Sequence, residues 1–132
     1  MLEKIIGELI GKIIGNRVLS VECCPKMESS FQSIGKILDV EVTNTGTFWY
    51  IFKEEGGLYG EGQGILFTND GEISTWTAQG IGKMKGKEAE WRVSVFFNTS
   101  SQKLSHLNNI MGIGEFEIDD KGNTKEKIYE WL

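Results

Sequence analysis

The segment GEGQGILFTNDGEISTWTAQGIG, Gly60 to Gly82, decides how the rest of the chain is read. Six of its 23 residues are glycine, yet apolar and polar residues alternate along it. That period of two belongs to strands and not to loops. Asn69-Asp70-Gly71 suits a three-residue hairpin loop, a type I turn whose last residue is a left-handed glycine. Thr68 then faces Glu72, and pairing runs outward from there. Gly64 stands opposite Trp76, Gly62 opposite Ala78 and Gly60 opposite Gly80. On the other face Gln63 meets Thr77 and Glu61 meets Gln79. One face is therefore nearly bare backbone capped by Trp76. The other carries Tyr59, Glu61, Gln63, Ile65, Thr77, Gln79 and Ile81. Glycine inside strands marks sharp bending or the close approach of another group, and a small barrel needs such coiling points to close.

Outward from this hairpin, the sequence breaks into further strand-length pieces at 17–23, 27–34, 36–44, 46–53, 89–98, 110–118 and 124–132. Turn signals separate them: Cys24-Pro25-Lys26, Asn44-Thr45-Gly46, Glu55-Gly56-Gly57, Lys85-Gly86-Lys87 and Asp119-Asp120-Lys121-Gly122. The first 15 residues are ambiguous. Ile5, Ile6, Leu9, Ile10, Ile13 and Ile14 share one helical face, and they also read as a strand buried on both sides. Gly7, Gly11 and Gly15 each weaken a helix by about 1 kcal/mol, and isoleucine favours strands. With β-structure following everywhere, the strand reading is adopted. Only SSQKLSHLNNI, Ser100 to Ile110, looks helical: a short turn near 101–108, capped at Ser100 or Ser101, with Leu104 and Leu107 inward. The expected fold is all-β, an antiparallel meander of nine or so strands closed into a small barrel. The expected domain is a single one spanning 1–132.

The 132 residues carry a net charge of −5. Nucleic-acid binding needs clustered Lys and Arg, and the densest cluster, Lys83, Lys85 and Lys87, reads as a solvated turn. No apolar run approaches the roughly 18 residues of a spanning helix, and MLEKIIGELIGKIIGN lacks the apolar core of a secretion signal. Without such a signal, the sequon Asn98-Thr99-Ser100 is a chance match. Cys23 and Cys24 read as reduced thiols of a cytoplasmic protein. Zinc needs more ligands than these two and the single His106 supply. No cofactor and no metal is expected, and neither nucleic acid nor a membrane is an expected partner.

Motifs for familiar chemistry are missing. There is no phosphate-binding loop, no Gly-x-Ser-x-Gly elbow, and strand residues follow Gly60-Glu61-Gly62-Gln63-Gly64 where a dinucleotide fingerprint requires a helix. What remains is a set of polar strand residues. The polar face of the hairpin is expected to point into the barrel, with Tyr59 or Arg92 near Glu61, and with Arg92 able to pair with Glu61 or Glu115 as a buried ion pair. Tyr59, Glu61, Gln63, Thr77, Gln79, Arg92 and Glu115 are thus the candidate ligand-binding residues. Glu115 and Glu117, on one side of a strand, are a candidate acid–base pair.

The stretches GTFWYIF, GLYGEGQGILFTNDGEISTWTAQGIGK, EWRVSVFF, LSHLNNIMGIGEFEIDDKGN and the terminal YEWL, together with RVLSVE at 17–22, resemble an uncharacterised family of small bacterial and archaeal proteins. The resemblance runs through most of the chain and implies no activity. In layout, the glycine-punctuated meander is also similar to the allene oxide cyclase barrel group, which implies an eight-stranded calycin-like barrel and transfers no catalytic residue. Three functions fit. The first is a non-catalytic barrel binding a small apolar or amphipathic molecule. The second is a cofactor-independent isomerase or cyclase that uses a buried Glu. The third is a homo-oligomerising structural module. A filled interior favours the third, a cavity above about 300 Å³ the first two, and a Glu with a raised pKa inside it the second.

Overall fold

Alternation and turn chemistry produce eight strands in the computed structural model, which describes residues 3–132. They are β1 Glu3–Ser20, β2 Lys26–Ile37, β3 Val40–Phe52, β4 Leu58–Thr68, β5 Ile73–Lys85, β6 Glu88–Thr99, β7 Gly112–Ile118 and β8 Asn123–Trp131. Each pairs antiparallel with its sequence neighbour, and β8 pairs back onto β1 to close the barrel. The expected all-β meander is the observed one.

The opening hairpin follows its expected register. Gly64 pairs with Trp76, Gly62 with Ala78, Gly60 with Gly80, Gln63 with Thr77 and Glu61 with Gln79. Gly71 takes φ 83° and closes the loop. Glycine is required at Gly64 because a Cβ there would sit 2.5 Å from the Trp76 indole. The indole leans inward across β4, and its N–H donates to Asn44 Oδ1 at 2.8 Å. Gly46 yields space to the same ring, since its Cβ would lie 2.6 Å from it. Asn44-Thr45-Gly46 is therefore the seat of a tryptophan in the middle of β3, not the turn its composition suggests. The turn in this region is Leu38-Asp39, with φ 52° and 63° between the paired Ile37 and Val40.

The N-terminal segment is a strand, as expected, but one-sided. Ile6 and Leu9 are buried while Ile5, Ile10 and Ile14 face outward. Offsets in β1 pairing, at Ile5/Gly7 against β8 and at Ile13/Gly15 against β2, mark bulges that bend the strand around the barrel.

Two apolar clusters fill the interior. One, around Leu9, Ile37, Leu66, Val95 and Ile128, lies toward the end closed by the β6–β7 connection. There a 3₁₀ turn, Ser105–Asn109, carries Leu107 inward, with Leu104 just before it; both are fully buried. The capping expected at Ser100 or Ser101 is absent: the residue before the turn is Leu104, with no side-chain cap. Instead Asn108 Oδ1 accepts from Thr99 N–H at 2.8 Å and Asn108 Nδ2 donates to Thr99 O at 2.8 Å, clamping the segment to β6. His106 holds it to β8 through Glu130, 2.6 Å away. The second cluster, Phe31, Leu58, Ala89, Trp91 and Phe116, lies toward the opposite end, which no such segment covers among the described residues.

Candidate functional site: a buried carboxyl below an aromatic mouth

Among the described residues two acidic side chains turn inward on β8: Glu130, which is paired with His106, and Glu126, which has no partner. Glu126 stands in β8 between Leu9 of β1 and Phe116 of β7, its register partners, both of which are buried. Its Oε2 lies 3.1 Å from where a Cβ on Gly114 would be, so glycine at 114 makes room for the carboxyl. The group lines a cavity of about 60 Å³, walled by Phe31, Phe48, Trp76, Trp91, Val93 and Phe116 among others. Burial alone raises its pKa to about 7. An ion pair would hold it low, and among the described residues none reaches it. At neutral pH this carboxyl is poised between its acid and its base form.

Above Glu126, toward the open end, lies a second space of about 210 Å³. Phe48 and Trp91 border both spaces and form the partition between them. Tyr50, Leu58, Ala89 and Ile118 complete an apolar throat, with Asn16, Ser29 and Lys87 as its polar rim. Ser29 donates its hydroxyl to Asn16 Oδ1 at 2.6 Å. Trp91 packs edge to face against Phe48 and Tyr50, and those two rings lie tilted to each other, with centroids 5.7–6.0 Å apart.

The polar face of the β4–β5 hairpin points the other way from its expected direction. Glu61, Gln63, Thr77 and Gln79 are exposed on the outer wall, while Gly60, Gly62 and Gly64 face the interior. The reason is packing: the glycine face admits Trp76 and Trp91, whose bulk fills the barrel from neighbouring strands. Outside, Tyr59 donates to Glu61 Oε2 at 2.7 Å, which raises the tyrosine's pKa. Trp49 packs its edge against Tyr59 at 5.8 Å. Glu61, Gln63, Thr77 and Gln79 do share one surface, a groove of about 510 Å³ edged by Trp49 and Phe96. Arg92 pairs with Glu115 at 3.8 Å, but both are solvent-facing, so this is no buried network. Tyr129 donates to Glu115 Oε1 at 2.8 Å. Glu117 is exposed beyond them.

The sequence does not single out Glu126, because TKEKIYEW mixes polar and apolar residues on both of its alternating faces. The available signal was Ile128: a period of two from it places Thr124, Glu126 and Glu130 inward, and Thr124 and Glu130 are indeed buried.

No protein-family model and no curated relative matches this sequence. Solved structures do resemble it. A conserved protein of unknown function from Rhodopseudomonas palustris superposes with a TM-score of 0.83 at 11% identity, over 98% of this chain and 97% of that one. A beta-barrel like protein from Acinetobacter baumannii gives 0.81 at 14% identity, over 97% and 95%. An enzyme from Penicillium herquei gives 0.74 at 17% identity, over 97% and 93%. At such identities the likeness is one of fold: this chain shares a barrel architecture with proteins of unknown function. Among the described residues no helix is long and apolar enough to cross a membrane.

Proposed function

We propose that the chain binds a small apolar or amphipathic molecule inside the barrel, entering by the aromatic throat, with Glu126 as the polar anchor at its base. The observation that carries this reading is the pairing of an apolar throat with a lone carboxyl beneath it. Apolar walls with one or two placed polar groups are the usual make-up of small-molecule sites. The throat and the inner cavity are each below about 300 Å³. The ligand is correspondingly small, or Phe48 and Trp91 rotate to join the two spaces. The ligand is placed among these side chains, not against Tyr59, Glu61, Gln63 and their neighbours on the outer wall. Neither nucleic acid nor membrane is part of this reading, and no cofactor is invoked.

A second reading is favoured by Glu126 itself. A carboxyl titrating near neutrality can give and take a proton on a bound molecule, which is what a cofactor-independent isomerase or cyclase requires. The resemblance in layout that the sequence suggests to the allene oxide cyclase group, and the similar barrel of the Penicillium enzyme, support it. Native mass spectrometry of the purified protein tests occupancy, and titration with an apolar fluorescent probe tests the throat. Binding that quenches tryptophan emission and weakens in Ala89→Leu, where the throat narrows, supports the proposal. Equal binding by parent and variant overturns it. Should a turnover be found, Glu126→Gln abolishes it under the second reading while leaving apolar-probe binding intact.

A further inference from the structure

We propose that Cys23, Cys24 and Glu54 form a binding site for a thiophilic divalent cation of the zinc class at the open rim of the barrel. The three residues come from two loops, the β1–β2 connection and the β3–β4 connection. These loops are joined by a backbone hydrogen bond from Phe52 N–H to Pro25 O at 3.1 Å. Cys23 Sγ lies 3.1 Å from Cys24 Sγ and 2.9 Å from Glu54 Oε1. The three donor atoms all fall within 4.8 Å of one another. Zinc–sulfur bonds of about 2.3 Å and zinc–oxygen bonds of about 2.0–2.2 Å put tetrahedral ligands roughly 3.5–3.8 Å apart. The donors need separate by less than about 1 Å to admit the ion.

The ligand that the sequence lacked is a carboxylate. His106 sits at the closed end of the barrel, and Glu54 supplies the third donor from a loop 30 residues away in the chain. Cys23 is exposed and Cys24 half-buried, so the ion reaches the pair from solution. On binding, both thiols release a proton, the two thiolates and the carboxylate ligate, and a water takes the fourth position. No oxidant or reductant is involved. Thiolates select zinc-class ions over magnesium and calcium. The bound ion clips together two loops beside the throat, independently of whether the throat holds a ligand.

The test is an anaerobic titration of the reduced protein with cadmium ion alone. A thiolate-to-metal charge-transfer band should saturate at one equivalent. Zinc should abolish the band, and magnesium should not. Cys23→Ser and Cys24→Ser should each remove it, and Glu54→Gln should weaken the affinity by about tenfold or more. Zinc should also raise the thermal midpoint of the parent and leave that of Cys23→Ser unmoved. Absence of the band, or its persistence in Cys23→Ser, overturns the proposal. So does a reduced protein that takes up no metal and, in air, loses two hydrogens to a Cys23–Cys24 disulfide.

Discussion

Glu126 is protonated inside the fold under conditions where the unfolded chain ionises it. Its carboxyl shifts from the ordinary glutamate value of 4.5 to about 7 on burial. Below both values the group is protonated in either state and no stability is lost. Between them the unfolded chain releases its proton while the barrel retains it, so stability falls as pH rises. Above about pH 7 the loss is complete, on the order of 3 kcal/mol. Glu126→Gln should flatten this slope and leave the variant more stable than the parent at pH 8, as read from urea midpoints across pH. A slope unchanged in the glutamine variant would place the effect on other groups. Gly64 makes a second residue-level case. Alanine there drives its methyl into the Trp76 indole, which is fixed by Asn44 and hemmed by Phe31, 6.2 Å away between centroids. Gly64→Ala should cost more than about 2 kcal/mol, measured as a shift of the denaturation midpoint at constant slope.

At the level of elements, the turns separate what the sequence discloses from what it hides. Leu38-Asp39 joins β2 to β3 through two left-handed residues, where Asn-Gly is the usual choice. Leu38 packs its side chain on the core at the closed end, and its backbone N–H donates to Ile6 O at 2.8 Å. Asp39 is exposed, so Asp39→Gly should relieve strain and raise stability by about 1 kcal/mol, visible as a higher thermal midpoint. The β4–β5 hairpin was legible to the residue because its loop chemistry and its alternation agree. The β2–β3 boundary was not, because Asn44 and Gly46 imitate a turn while serving Trp76, a partner 30 positions away. Which hairpin face turned inward was also hidden. A row of glycines has no hydropathy to rank, and the side chains that fill the space above it come from other strands. Glu61, Gln63, Thr77 and Gln79 consequently lie on the outer wall and not inside, and the interior carboxyl stands on a strand whose two faces look alike in sequence.

For the whole molecule, closure is the dominant fact. β1 is held by β2 on one side and by β8 on the other, from Glu3 opposite Trp131 to Lys12 opposite Asn123. Removing residues 1–14 should strip β8 and the Phe31–Ile37 half of β2 of their partner and convert the protein to aggregates, detected by size-exclusion chromatography. Only about 4% of the residues are helical, so circular dichroism should show a β spectrum with helix far below a quarter. The seam has a further consequence for chain connectivity. Every backbone pairing between strands joins sequence neighbours except the one that joins the first strand to the last, and that pairing brings the two ends of the barrel strip side by side. The order in which the strands are synthesised is therefore incidental to the architecture. A circular permutant, with a short glycine linker from Leu132 to Met1 and new termini cut within the exposed Gly86-Lys87 loop between the paired Lys85 and Glu88, should rebuild the same cylinder, with the parent's dichroism and tryptophan emission.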